Sequence, residues 1–436
     1  MGSDRQRSGE SLGEEYEHSA VPMHARRSTF SVSTVWVGAP MIITTAITGS
    51  ILVAQMGFVR ALCAIVVGNL LMLGYTGALA VHAYRTGFNS ALQASTVFGR
   101  TGYVAVSGLL STLVLGWFAV QTGLAGTLIH AAFGFNYLAM TALAGLLFLI
   151  ITFMGIKGLH WIGMVSVPLF FVLGGWVLFD SAATAGWKAV LAYGGSTPEA
   201  PLAFGAGVTI VFALFADGAT LTGDYSRWSP SVRGALISTA SAFPFAMTTA
   251  MLVGGVMTAA LQVASPNAFG HDNMFGYMLD QHSPVFSAIA LVFLVCNLGS
   301  ICSHCLYFSA VGFSRMTGST MRVCSVVLGI IGTCIAAANV WALFIPWLSM
   351  LGIIVPPIGA VMIMHLLVLR TRVSHDADWR GAPFLAWLIG SVVAFWVEKQ
   401  APELSTAVAA FVAAAVAYLG IAAVTRPAGA ASTVGQ

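Results

Sequence analysis

Apolar residues run through this chain in long blocks, without the alternating or one-sided patterns of elements that face water on one side. Between residues 30 and 425 short polar or Gly-containing joints cut the blocks into membrane-helix lengths, since roughly 20 apolar residues cross a hydrocarbon core about 30 Å thick. The pattern predicts twelve transmembrane helices, over 30–56, 58–84, 103–132, 137–156, 160–179, 204–225, 234–263, 284–313, 320–341, 343–369, 384–397 and 403–425. The eleventh is short unless Ala382 and its neighbours extend it. Residues 1–28 contain no apolar block and hold nine charges, so they predict a disordered polar tail. No short apolar stretch with a small-residue cleavage site lies there, which predicts that the first span is retained in the membrane.

Composition narrows the class. Only 8% of residues are charged and 58% are hydrophobic, with a mean hydropathy of +0.88, whereas soluble domains average roughly 25% charged residues. Too few charges are present to cover a water-facing surface, which excludes a soluble enzyme. A net charge of +3 with scattered Arg residues is too weak for a nucleic-acid-binding stripe. The cysteines Cys63, Cys296, Cys302, Cys305, Cys324 and Cys334 fall inside apolar stretches and read as small hydrophobes, with no metal-ligand spacing among them.

Positive residues set the expected orientation, because Lys- and Arg-rich loops stay cytoplasmic. With the N-terminus inside, Arg5, Arg7, Arg26, Arg27, Arg85, Arg100, Lys157, Arg227, Arg233, Arg315, Arg322, Arg370, Arg372, Arg380 and Arg426 fall inside, and Arg60, Lys188 and Lys399 outside, 15 against 3. Both termini of a multi-pass protein of the cytoplasmic (inner) membrane are therefore expected in the cytoplasm. Long helices with internal Gly and Pro suit a transporter better than a barrel or a ring-lined pore.

Two spans carry signs of a mid-membrane break, where exposed backbone groups can hold ions and polar substrate atoms. The first contains Gly38-Ala39-Pro40, and proline removes a backbone donor and frees carbonyls a turn earlier. The sixth contains Asp217-Gly218. They are five spans apart, the offset of two inverted five-helix halves. Asp217 is the only acid in the middle of a predicted span, and a carboxylate there costs several kcal/mol unless paired, protonated or facing water. It reads as a substrate acceptor, a proton carrier or a partner of a buried donor. On the third span Trp117 and Gln121 are four residues apart and share a helix face, offering a stacking surface beside a donor and acceptor. Phe215 lies two residues before Asp217 and closes the other side of a sandwich in this reading. On the eighth span Asn297, Ser300 and His304 form one polar stripe facing the interior, with His304 read as a satisfied interhelical histidine.

Four short motifs in order resemble nucleobase:cation symporter family one, in its purine/cytosine permease branch. They are Gly116-Trp117-Phe118 with Gln121, Thr220-Leu221-Thr222 followed by Asp224-Tyr225-Ser226-Arg227, Gly312-Phe313 with Thr317-Gly318, and Trp347-Leu348 with Pro356-Pro357-Ile358-Gly359. The resemblance runs from about residue 30 to 425. It implies an all-α integral membrane fold of twelve helices: two inverted five-helix repeats (29–179 and 204–369) within a transporter domain 29–426, two extra helices (384–425), discontinuous helices one and six, and a tail at 427–436. It also implies a substrate site in which Trp117 and Phe215 sandwich a flat heterocycle, Gln121 bonds its edge, Asp217 faces it, and Asn297 and Gly38 contribute. Gly38, Met41 and Ser300 are the positions it implies for a coupling cation. The chain departs from the pattern in two places. Where sodium-coupled relatives carry two adjacent hydroxyl residues, it has Ser300 and Ile301, so a hydrocarbon replaces one oxygen ligand. Asp217 stands where the pattern has a small hydroxyl residue, which leaves a proton on Asp217 as the alternative to sodium.

The expectation is a cation-coupled symporter, without other cofactor, importing a nucleobase such as cytosine; hydantoin, allantoin or a pyrimidine vitamin precursor is the alternative cargo. No nucleotide-binding loop is present to use ATP. A monomer is expected. A receptor that binds a base without moving it is the rival from another class, and the short tail offers it no output domain. An intramembrane enzyme would need Asp217 and His304 as acid and base, with no second mid-membrane acid to complete the set.

Overall fold

The computed structural model describes residues 14–262, 272–340, 344–369 and 377–425, and all regular structure among them is helical. Residues 1–13 of the predicted N-terminal tail, the predicted tail at 427–436, and the cations Arg5, Arg7, Arg370, Arg372 and Arg426 lie outside the described residues. In chain order the helices are α1 (Thr29–Gly38), α2 (Ile43–Met56), α3 (Phe58–Thr86), α4 (Ser90–Phe98), α5 (Tyr103–Phe133), α6 (Tyr137–Phe153), α7 (Ile156–Ala185), α8 (Trp187–Ala192), α9 (Phe204–Ala213), α10 (Ala216–Thr220), α11 (Gly223–Ser226) and α12 (Val232–Ala240). A π-helical stretch at Ser241–Met247 leads into α13 (Thr248–Leu261). Then follow α14 (Met274–Leu279), α15 (Pro284–Thr317), α16 (Met321–Ala337), α17 (Phe344–Ile363) with a π-helical end at Met364–Val368, α18 (Gly381–Gln400) and α19 (Thr406–Thr425).

Each predicted span contains a helix. Among the described residues eight are long and apolar enough to cross a bilayer, nine when α1 and α2 count as one bent span; α6, α9 and α16 are shorter and apolar. Large apolar side chains such as Leu138, Val172, Phe179, Val292, Leu388 and Val416 are exposed around the bundle, where a soluble protein would carry charges. The short helices α4, α8 and α14 were not expected; α4 starts where the Asn89 side chain accepts from Leu92 N–H.

The first span breaks where expected. Pro40 has no N–H to give, Ala39 N–H reaches back only to Trp36 O at 3.4 Å, and α2 restarts at Ile43 with a 55° bend. The sixth span breaks at Leu214–Phe215, two residues before Asp217, and again at Leu221–Thr222. Asp217 and Gly218 thus lie within the short α10, a correction to the break expected at those two residues.

Packing between spans repeats with an offset of five. The first span packs on the seventh (α2 on α13) as the sixth packs on the second (α9 on α3). The first span packs on the fifth (α1 on α7) as the sixth packs on the tenth (α10 on α17), and the third and ninth (α5, α16) match the eighth and fourth (α15, α6). Close approach needs small residues: a Cβ on Gly254 of α13 would fall on the Ala46 carbonyl of α2, and one on Gly49 of α2 on the Met251 carbonyl.

Residues 14–28, expected to be disordered, form an ordered strap across one end of the bundle. Glu15 is 3% exposed, and its carboxylate accepts from Tyr307 Oη at 2.9 Å and from Ile156 N at 3.1 Å. Arg227, fully buried, donates to the carbonyls of Glu15 and Tyr16 at 2.9 and 2.8 Å. Glu17 accepts from Met321 N at 2.7 Å, Val21 N donates to Gly87 O at 2.9 Å, and Arg26 donates to Tyr84 O at 2.7 Å. Charge in a polar tail reads as solvation; these partners are remote in sequence and only folding brings them together.

Candidate functional site

The break in the first span is held from the eighth. Asn297 Oδ1 accepts from Ile43 N at 2.7 Å, the first free donor of α2, while its Nδ2 donates to Met41 O at 2.9 Å and to Ser166 Oγ at 3.3 Å. One turn on, Ser300 Oγ donates to Gly38 O at 2.8 Å. One turn further, His304 Nε2 lies 2.8 Å from Val35 O and Nδ1 2.6 Å from Ser300 O. The polar stripe on α15 therefore faces the carbonyls that the break leaves without helical partners.

Beside this seam lies a buried cavity of about 30 Å³, a volume that suits a water or two. Trp117 and Gln121 of α5, Phe215 and Asp217 at the sixth-span break, Trp36, Ala39 and Ile42 of the first, and Ile301, His304, Cys305 and Phe308 of α15 line it together with Val114, Leu214 and Gly218. Asp217 is 2% exposed; its Oδ1 accepts from Gly218 N at 2.8 Å, and the Trp117 indole N–H faces the same carboxyl group. Gln121 is held through Oε1, which accepts from Thr44 Oγ1 at 2.6 Å. Tyr225 stacks on Phe308 at a centroid distance of 4.3 Å and meets Trp36 edge-on at 5.2 Å, closing the wall behind them.

Four of the expected substrate residues, Trp117, Gln121, Phe215 and Asp217, therefore come together around one space. Asn297 and Gly38 do not line it; they fasten the break, as do the Met41 carbonyl and Ser300. Sequence reasoning missed Trp36, Ile42, Thr44 and Phe308. An aromatic two residues before Gly38 is a signal for Trp36; nothing local marks Thr44, whose partner is 77 positions away. The Asp224-Tyr225-Ser226-Arg227 motif works outside the cavity lining: Asp224 Oδ1 accepts from Ser90 N at 2.8 Å and Arg227 grips the strap.

A bundle of apolar helices with two broken spans packed around a mainly apolar cavity that carries a few polar groups, Gln121, Asp217 and His304, defines a multi-pass membrane transporter. Comparison with known proteins agrees. Residues 20–432 match the family described as permeases for cytosine/purines, uracil, thiamine and allantoin. The chain is similar to the cytosine permeases of Escherichia coli strain K12 and of Escherichia coli O157:H7, 28% identical in each case over 400 residues, which cover 89% of this chain and 90% of each relative. Its fold is similar to that of Mhp1, a nucleobase-cation-symport-1 family transporter, in a closed conformation with bromovinylhydantoin bound, with a TM-score of 0.77, 17% identity, and coverage of 95% of this chain and 96% of Mhp1. The inward-facing form of Mhp1 also matches, with a TM-score of 0.73 and 16% identity over 93% of each chain. The chain belongs to the cytosine/purine permease family. It is a permease with the inverted-repeat transporter fold, and not an enzyme.

Proposed function

We propose that the protein is a secondary active transporter that imports a nucleobase such as cytosine, or a related planar heterocycle, together with a cation. The observation that carries this reading is the gathering of Trp117, Phe215, Asp217 and Gln121 around one buried space between the two breaks. Flat aromatic faces stack a heterocycle, and the carboxyl and amide groups read its N–H and carbonyl edges. The cavity is smaller than such a ring, so the bundle or its side chains must part to admit one, as alternating access requires. Two inverted repeats at 29–179 and 204–369, with 384–425 as added helices, are supported by the fivefold offset in packing. The count of Lys and Arg supports cytoplasmic termini in the inner membrane.

Two observations bear on the cation. The Gly38 and Met41 carbonyls and Ser300 Oγ lie at the break and are oxygens of the kind sodium takes, but each carbonyl here accepts a side-chain hydrogen bond and Ile301 adds only hydrocarbon. A proton is the second reading, with Asp217 on the cavity lining as its carrier; His304, whose two ring nitrogens lie 2.6 and 2.8 Å from carbonyl oxygens, is the other group placed to hold one. Uptake of radiolabelled cytosine into proteoliposomes, with sodium and proton gradients imposed separately, tests the reading. Trp117→Ala should lower apparent affinity about tenfold or more while the protein stays folded, since stacking contributes about 1 to 3 kcal/mol per base. Unchanged affinity in that variant, or no binding of any heterocycle by the wild type, overturns the assignment.

A further inference from the structure

Gln121 is 2% exposed, and one end of its amide is already committed. Thr44 Oγ1 donates to Gln121 Oε1 across 2.6 Å. The amide oxygen therefore points to Thr44, and Nε2 makes no hydrogen bond among the described residues.

Thr44 is free for this task because of the break. A threonine in a membrane helix ordinarily returns its proton to the carbonyl four residues back, as Thr34, Thr48, Thr209 and Thr220 do here. Four residues before Thr44 stands Pro40, which lies in the non-helical turn and whose carbonyl accepts from Ile42 N at 3.0 Å. The hydroxyl of Thr44 reaches across to α5 instead.

An untied primary amide can present either its oxygen or its nitrogen to a ligand, so it discriminates poorly. With the oxygen tied, Gln121 offers the cavity donors only. The indole N–H of Trp36, 2% exposed and without a hydrogen-bond partner, is a second donor on the lining. Asp217 supplies the opposite signature, a carboxyl acceptor, on α10.

We propose that Thr44 is a positioning residue that makes Gln121 an obligate donor, so that the site selects heterocycles carrying a carbonyl oxygen for Gln121 and a separate amino or ring N–H for Asp217. The inference rests on the heterocycle reading given above. It assigns specificity to a residue that makes no contact with the cavity itself.

The test compares cytosine with 4-aminopyrimidine, which lacks the carbonyl oxygen and with it the ring N1–H, by displacement of radiolabelled cytosine from purified protein in detergent; the readout is how each variant changes the ratio of the two affinities. Thr44→Val keeps the volume and removes the hydroxyl; Thr44→Ser keeps the hydroxyl. Thr44→Val should weaken cytosine about five- to tenfold, the worth of one ordinary hydrogen bond. It should move 4-aminopyrimidine by less than about twofold, so the preference for cytosine collapses, while Thr44→Ser retains it. Equal losses for both ligands, an unchanged preference in Thr44→Val, or a Thr44→Ser variant that behaves like Thr44→Val each overturns the role of Thr44. If wild-type protein binds neither ligand, this inference is overturned, whereas the heterocycle reading falls only if no planar heterocycle binds.

Discussion

Replacing Asn297 should loosen the first-span break without touching the cavity lining. Its side chain satisfies the N–H of Ile43 and the carbonyl of Met41, at 2.7 and 2.9 Å, in a fully buried position. Asn297→Ala leaves both backbone groups without partners, and an unsatisfied buried group costs about 1 to 3 kcal/mol, so the sum is about 2 to 6 kcal/mol. The bond to Ser166 Oγ is longer, 3.3 Å, and Ser166→Ala should cost less than about 1 kcal/mol. Asn297→Leu keeps the volume, which separates the lost hydrogen bonds from the cavity left by alanine. Thermal unfolding in detergent reads the effect. Both Asn297 variants should melt several degrees below wild type, with Ser166→Ala close to it. If Asn297→Leu melts with wild type and takes up substrate normally, the break is held by something other than this side chain, and its assignment as a clamp is refuted.

The strap gives a pH prediction. Burial raises the carboxyl of Glu15 above its ordinary value of 4.5, against the opposing pull of the Tyr307 hydroxyl and the charges of Arg227 and Arg322. A raised folded-state value means that the stability contribution is full below 4.5 and is lost as pH climbs through the raised value. Exchange of the Val21 amide, corrected for intrinsic rate, should therefore be slowest in acid; Glu15→Gln, permanently neutral, should keep the acid-side protection at all pH, and a variant that retains the wild-type pH dependence contradicts this. At the cavity, Asp217→Asn should reduce uptake and flatten its pH dependence if that carboxyl carries the coupling proton. A variant with the wild-type pH profile removes Asp217 from that role and turns attention to His304 on the same lining.

Much of this protein is a one-dimensional matter. Lipid demands runs of apolar residues of a set length, so the spans were legible without any knowledge of their neighbours. Pro40 announces its own break because it lacks a donor wherever it sits. Trp117 and Gln121 share a face by their spacing of four, and Asp217 stands out because an acid in an apolar run is costly.

What the chain could not reveal alone is which group answers which. The sixth span parts at Leu214–Phe215, where no proline or glycine stands to announce it, while Asp217 and Gly218 stay helical. Asn297 reads like a substrate ligand until the fold sets it against Ile43 and Met41. Glu15 reads like solvated charge until Tyr307 and Arg227 close over it. Hydrogen bonds are short and directional, so their partners are decided by positions in space. Hydropathy adds up along the chain, and that is why length and composition disclosed the membrane class while the wiring of the cavity waited for the packed helices.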